Sequence, residues 1–200
     1  MSAWRSLWLV VLLAAAGCAS TAGLDVGYPE AGVNRSLLAS APARRVAIGP
    51  VTDRRTEARI GVELESKKDV VTRRPVTEIV REALALELGK NGHVVTSGAT
   101  DAVLSADVEE FRLDAVSGYS NVHYVGKVAI ALVMTDGRGS HRLFARRYVG
   151  IKRRLADPDA EGVAREVMDA ALARAMHDVA TDAELVRALT RLSTALLPRP

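Results

Sequence analysis

The chain has 200 residues and a formal net charge of +3, with 48% hydrophobic and 26% charged residues. That length suits one hydrophobic core, and the balance of apolar and charged residues excludes a chain that is disordered throughout. The small excess of positive charge is weak evidence for nucleic acid, so no nucleic-acid partner is expected. Cys18 is the only cysteine, which excludes a disulfide bond within the chain.

The first residues carry the pattern of an export signal. Arg5 is the only charge in residues 1–6, and residues 7–16 form an unbroken apolar run. This run is about half of the roughly 20 residues that a membrane-spanning helix needs. We therefore expect residues 1–17 to be a signal peptide. Its removal takes away only the charge of Arg5 and leaves a formal net charge of +2.

Small residues precede the cysteine. The stretch Ala14-Ala15-Ala16-Gly17-Cys18 resembles the lipobox of bacterial lipoproteins, although leucine is more usual at the position of Ala15. The resemblance implies cleavage before Cys18, lipid on its sulfur and acylation of the new amine. Several acyl chains anchor a protein stably, because each buried CH₂ contributes about 0.8 kcal/mol. The expected partner of Cys18 is therefore a membrane, reached through its acyl chains.

Ordinary secretion is the alternative. The three alanines before Gly17 also fit an A-x-A cleavage site, which would leave Cys18 as a free thiol. We favour lipidation, because an unpaired cysteine is a liability in the oxidising compartment that an exported protein enters.

A tether is expected between the lipid and the folded part. Residues 18–43 are rich in Ala, Ser, Gly and Pro and show no sustained period. Val33, Leu37 and Leu38 leave open a short strand or a docked segment within this tether. A single folded domain is then expected over residues 44–197.

Hydrophobic periodicity predicts the elements of that domain. Their order is a strand, a hairpin or loop, a helix, three strands in a meander and two helices, over residues 44–53, 60–72, 75–91, 101–113, 122–135, 140–152, 158–181 and 182–197. A strand–helix–strand crossover followed by hairpins predicts an α+β two-layer sandwich. Its sheet is expected to be mixed and mostly antiparallel, with the helices packed on one face.

The lipobox ending at Cys18 is followed by a late strand–strand–helix tail and by three characteristic stretches, Val51-Thr52-Asp53-Arg54-Arg55, Ile60-Gly61 and Lys90-Asn91-Gly92-His93-Val94-Val95. In these features the chain resembles, over about residues 44–178, the YajG family of bacterial outer-membrane lipoproteins. The resemblance implies location and class rather than chemistry. The cysteine is followed by Ala19 and not by an aspartate, which in a Gram-negative bacterium implies the outer membrane, with the domain facing the periplasm.

The sequence contains none of the common enzyme signatures H-E-x-x-H, G-x-S-x-G or a phosphate loop ending in Lys-Ser or Lys-Thr. Asp107, Glu109 and Glu110 are candidate paired carboxylates for acid–base catalysis on glycans, but a solvated strand face shows the same spacing. We expect a protein that is not an enzyme and has no cofactor. No metal site is expected either, because the histidines lie far apart in the chain, at His93, His123, His141 and His177.

Basic residues on the last strand form a candidate anion-binding patch, comprising Arg142, Arg146, Arg147, Lys152, Arg153 and Arg154. If this strand lies near the first, Arg44-Arg45 and Arg54-Arg55 would extend it. The partner would be an anionic lipid head group, a lipopolysaccharide phosphate or an acidic glycan. The alternative is an edge strand whose charges prevent edge-to-edge aggregation.

Together these features predict a lipid-anchored, periplasm-facing envelope lipoprotein with a binding or structural role and an unknown envelope partner. A second interpretation is an accessory lipoprotein of a lipid or lipopolysaccharide transport system. It predicts an apolar groove between helix and sheet, or an exposed stripe of Leu185, Leu189, Leu192 and Leu196. A third, an envelope hydrolase, requires a pocket that groups Asp107 and Glu109 with a histidine.

Overall fold

The computed structural model describes residues 21–29, 35–157 and 162–195. Its strands are β1 (Ala22–Leu24), β2 (Arg45–Asp53), β3 (Gly61–Val62), β4 (Asp69–Thr72), β5 (Val94–Val95), β6 (Ala102–Ser117), β7 (Val122–Asp136) and β8 (Arg142–Ala156). Its α-helices are α1 (Val76–Lys90), α2 (Val163–Ala180) and α3 (Ala183–Ala195), and a 3₁₀ turn covers Leu37–Ser40.

The main sheet has the strand order β5-β2-β6-β7-β8. β2 is parallel to β5 and β6, whereas the long strands β6, β7 and β8 form an antiparallel meander. The sheet is therefore mixed, its longest pairings are antiparallel, and the prediction of an α+β fold is confirmed. β2 and β8 are separated by two strands, so the arginines that flank β2 cannot extend a patch on β8.

A small second sheet has the order β1-β4-β3. β3 and β4 pair antiparallel, which is the hairpin alternative for residues 60–72, and β1 joins β4 in parallel. The Leu113 amide of β6 donates a hydrogen bond to the Ile60 carbonyl at 2.6 Å. This bond places the small sheet beside the part of β6 that β2 does not reach.

Helix α2 lies directly on β7 and β8. A Cβ atom added at Gly150 would lie 2.0 Å from the carbonyl oxygen of Ala171, and one at Gly126 would lie 2.8 Å from that of Val167. Only glycine permits so close an approach of two backbones. The two glycines therefore set the height of the helix above the sheet.

The contact with α2 fixes which side of β8 is covered. Phe144 and Tyr148 are buried on the side of Gly150, and Leu143 and Ile151 lie on the other side with 38% and 46% of their surface exposed. The helix layer covers one face only, and we call the opposite one the open face.

A side chain at Gly150 is expected to lift α2 from the sheet. We predict that Gly150→Ala lowers the free energy of unfolding by about 1–3 kcal/mol, the usual result of overpacking. Gly89→Ala is the matched control, because Gly89 is exposed in α1 with nothing near its Cβ position. That control is expected to gain about 0.5–1 kcal/mol. Urea unfolding of both variants measures the difference, and equal effects would contradict the role given to Gly150.

Candidate functional site

Cys18 lies outside the described residues, but the chain is already folded at Ala22, four residues later. Parts of the predicted tether over residues 18–43 are ordered where the structure describes them, at residues 21–29 and 35–43. Val26 and Leu38 are buried, with at most 1% of their surface exposed. Docking at Leu38 is the alternative that the sequence left open, whereas Val26, an isolated apolar side chain in a Gly-rich stretch, gave no periodic signal.

A polar cluster at the end of α1 holds the N-terminal segment. The carboxylate of Glu87 is buried and accepts hydrogen bonds from the Tyr28 hydroxyl, from Lys90 Nζ at 2.7 Å and from Asn91 Nδ2 at 2.9 Å. Asn91 Oδ1 in turn accepts from the amide and hydroxyl of Ser36 at 2.8 and 2.7 Å. Burial and the neighbouring Glu87 raise the pKa of the Tyr28 hydroxyl, so the tyrosine remains a donor.

His93 is buried against the same segment. Its Nε2 lies 3.3 Å from the Leu38 carbonyl, which can only accept, so Nε2 carries the proton. Nδ1 has no hydrogen-bond partner among the residues that the structure describes. Burial, opposed by this hydrogen bond and reinforced by the positive charge of Arg44, lowers the pKa of His93. The docked segment therefore rests on a neutral imidazole.

The structure divides the candidate anion-binding patch between two faces. Cross-strand register places Arg146, Lys152 and Arg154 on the helix side of β8, and Arg147 and Arg153 on the open face. Arg142 pairs with Thr135 at the start of the strand, roughly 33 Å from Lys152 at the usual rise per residue. The six residues therefore do not share one surface.

Three members of that predicted set are bound to carboxylates. Arg146 contacts Asp182 at 2.7 Å, Arg147 contacts Glu109 at 2.5 Å, and Arg154 contacts Glu166. Arg142, Lys152 and Arg153 make no side-chain hydrogen bond or ion pair within residues 21–29, 35–157 and 162–195.

Asp182 fastens α3 to the sheet, a role that sequence reasoning missed. It is buried and accepts hydrogen bonds from Arg146 at 2.7 Å, from the Tyr148 hydroxyl at 2.6 Å and from the Glu184 amide at 2.7 Å. The last of these caps the helix. Burial acts to raise the pKa of Asp182, but the hydrogen bonds from Tyr148 and Arg146 outweigh it and lower the pKa.

The three candidate carboxylates of β6 form ion pairs with basic side chains. Arg54 contacts Asp107 at 3.5 Å, and Lys127 contacts Glu110 at 2.7 Å. Across the described ranges, no three or more His, Cys, Asp or Glu side chains form a group able to hold a metal ion. Arg147 completes the arrangement by bridging Glu109 and Glu110 on the open face. Glu109 and Glu110 line an open groove of about 830 Å³, but neither Asp107 nor a histidine is part of its lining, so the grouping expected of a hydrolase is not formed there.

Of the two features expected of a transport accessory protein, the exposed leucine stripe is absent from the described residues. Leu185, Leu189 and Leu192 are buried against the body, and Leu196 lies outside the described residues. A void of about 10 Å³, no larger than one water molecule, lies between helices and sheet beside Leu84 and Leu189, and a larger open groove reaches the start of α2 at Ala164. No helix within the described ranges combines the length and apolar character that crossing a bilayer requires.

An open groove lies between the small sheet and the turn that joins β6 to β7. Its volume is about 480 Å³, and its lining includes Ala22, Leu64, Leu113, Tyr119 and Tyr124. Cavities of about 300–1,000 Å³ accommodate small ligands. Since β1 forms one wall, the groove lies at the end of the domain where the chain from Cys18 enters.

No protein-family model matches this chain, and no curated protein matches it in sequence. Solved structures do resemble it. Protein XCC0632 from Xanthomonas campestris, described with the family name DUF330, superposes with a TM-score of 0.51 at 13% identity, covering 88% of this chain and 98% of its own. That likeness shows a shared fold.

Two further structures are similar at lower scores. Lipoprotein GNA1162 from Neisseria meningitidis has a TM-score of 0.36 at 13% identity over 56% of this chain and 84% of its own. A minor lipoprotein from Acinetobacter baumannii has a TM-score of 0.39 at 13% identity over 76% and 93%. Likenesses this small carry no argument about fold or role, so the comparisons establish an α+β fold and leave the function to the site.

We predict that Asp182→Asn lowers the free energy of unfolding by about 1–3 kcal/mol, because a charged hydrogen-bond acceptor is lost from a buried cluster. The carboxylate's pKa is lower in the folded state, so its stabilisation is present above about pH 4 and is lost as the pH falls through the folded value. Urea titrations between pH 7 and pH 3 should show a flatter acid limb in the variant.

Asp178→Asn is the matched control for Asp182, because among the described residues Asp178 forms an ion pair with Arg174 alone, along α2 at 3.4 Å. We expect a change within about 0.5 kcal/mol. A change as large as that of Asp182→Asn would contradict the special role of the buried cluster.

We predict that docking of residues 35–43 weakens as the pH falls below about 6.5. The folded pKa of His93 is lowered, so the unfolded state takes up the proton first and stability is lost from the unfolded pKa downwards. Amide hydrogen exchange of this segment at pH 7.5 and pH 5.0, corrected for the slower intrinsic exchange at low pH, should show smaller protection factors at the lower pH. His93→Gln should abolish that dependence and His177→Gln, at an exposed site, should retain it; the reverse result would exclude His93 as the cause.

Proposed function

We propose that this protein is a lipid-anchored envelope lipoprotein of the YajG-like kind, whose domain has a binding or structural role and catalyses no reaction. The observation that carries the proposal is the position of Cys18. It follows a signal-like segment and small residues, and it precedes the first strand of a folded domain by four residues.

The anchor follows from the chemistry of the N-terminus. Cys18 is the only thiol, and the apolar run before it is too short to span a bilayer. Acylation of the sulfur and of the new amine would supply the several chains that stable anchoring requires. The described domain then needs no membrane-spanning helix of its own.

A role in binding rather than catalysis is supported by the state of the polar side chains. Asp107, Glu109 and Glu110 are each ion-paired with an arginine or a lysine on a half-solvated strand face. Buried Asp182 and Glu87 are saturated with hydrogen bonds that fasten structural elements to each other. Both sets of carboxylates serve the architecture.

The proposed location is the outer membrane, with the domain in the periplasm. Ala19, and not an aspartate, follows the cysteine. The resemblance to outer-membrane lipoproteins implies that such a residue goes with transport to the outer membrane in a Gram-negative bacterium. Fractionation of inner and outer membranes tests this part separately from acylation.

We predict that the mature protein purified from membranes begins at Cys18 and carries added acyl mass. Intact mass spectrometry of the wild type, of Cys18→Ala and of the control Ser20→Ala measures this directly. The acyl mass should be absent from Cys18→Ala and retained in Ser20→Ala. A wild-type protein cleaved elsewhere with an unmodified thiol would overturn the lipoprotein proposal.

A further inference from the structure

The distance from anchor to domain is short. Consecutive Cα atoms lie at most 3.8 Å apart, so the Cα of Cys18 is within about 15 Å of the Cα of Ala22. The head-group layer on each side of a bilayer is roughly 5–8 Å thick. If Cys18 carries acyl chains in the hydrocarbon, β1 is held within reach of the membrane surface.

The lining of the groove shows that the turn between β6 and β7 lies at the same end of the domain as β1. Its walls include Ala22 and Gly23 of β1 together with Tyr119 and Asn121. The last two belong to residues 117–121, which join β6 to β7 and which we call the hairpin tip. Whatever surface lies next to β1 therefore also lies next to the hairpin tip.

The hairpin tip and the strands beside it expose apolar side chains. Tyr119 is fully exposed, and Val116 and Leu155 expose 61% and 57% of their surface. Val116 pairs with His123, which pairs with Leu155, so these side chains form one row across the open face. Tyrosine is enriched where protein meets the membrane interface, since its ring is apolar and its hydroxyl is polar.

The same end carries cations without partners. Lys152 and Arg153 pair in register with Gly126 and Val125 of β7, close to the tip, and make no ion pair with any residue that the structure describes. Arg154 is neutralised by Glu166. The turn between β3 and β4 adds no net charge, since it contains Glu63, Glu65, Lys67 and Lys68. Asp157 follows β8 at this end, so the charge here is mixed, and it is the side chains of Lys152 and Arg153 that complement an anionic leaflet.

We propose that the hairpin tip docks on the membrane leaflet that holds the acyl chains of Cys18. Tyr119 enters the interfacial layer, with Val116 and Leu155 at its boundary, and Lys152 and Arg153 face anionic head groups. This orientation rests on the proposed function, because the short reach from Cys18 matters only if Cys18 is acylated.

The protein offers a clean spectroscopic test. Both tryptophans, Trp4 and Trp8, lie in the signal segment, so Tyr119→Trp gives the mature protein a single tryptophan. Acylated protein is reconstituted in phosphatidylethanolamine and phosphatidylglycerol vesicles that contain phosphatidylcholine brominated near the glycerol. We expect quenching of about half of the emission, because interfacial side chains lie roughly 5–10 Å into this layer.

Ser140→Trp is the matched control. Ser140 is exposed in the turn between β7 and β8, at the other end of the sheet and roughly 45 Å from the tip along β7. Its emission should not change with brominated lipid. Equal quenching at both positions, or none at position 119, would overturn the proposed orientation. A blue shift at position 119 that depends on protein concentration and not on bromine would indicate a second copy as the occupant and would also overturn it.

Mass and vesicle flotation of each variant separate the two proposals. A protein without acyl mass contradicts both of them. An acylated Tyr119→Trp protein that floats with vesicles, but whose tryptophan emission is not quenched, contradicts the orientation alone.

The cations are tested in the same Tyr119→Trp protein. Lys152→Gln with Arg153→Gln should reduce quenching in vesicles that contain phosphatidylglycerol. Arg138→Gln with Arg142→Gln changes the charge equally at the far end of the sheet and should leave quenching unchanged. Equal effects of the two pairs would exclude a local contact of Lys152 and Arg153 with the lipid head groups.

Discussion

The backbone contact between α2 and β8 decides the character of every other surface of the domain. Ala171 lies so close to Gly150 that no side chain fits between them. Because side chains alternate along a strand, covering Gly150 buries Phe144 and Tyr148 and turns Leu143 and Ile151 towards solvent. The apolar row at the hairpin tip and the division of the basic residues between two faces are consequences of that single choice.

Two buried carboxylates hold the ends of the chain to this framework. Asp182 joins α3 to β8, and Glu87 joins α1 to the N-terminal segment. Each accepts hydrogen bonds from several donors, as a buried charge must if its desolvation is to be offset. The described residues 22–29 and 36–41 thus belong to the folded body, and three residues separate Cys18 from Ala22 in the sequence.

That short separation matters for function. A domain on a long linker samples many orientations, whereas one joined through a few residues presents a defined end to its membrane. On the open face, the pairing of Arg147 with Glu109 and Glu110 supports the interpretation of β8 as a charged edge protected from aggregation. Lys152 and Arg153 differ, because they lie near the hairpin tip without partners among the described residues.

The sequence by itself determined the order and type of the main elements. Alternation marked β2, β6, β7 and β8, and helical spacing marked α1, because burial on one face imposes periods that a chain records locally. The sequence also revealed the lipobox-like run of small residues that ends at Cys18, since that pattern is contiguous in the chain. The tertiary structure alone decided which side of β8 faces the helices, because both sides carry apolar residues and the choice depends on α2 at Gly150. It alone revealed the docking of Val26 and the partners of Asp182, and it decided in favour of docking at Leu38, because these contacts join residues that are far apart in the chain and leave no local period.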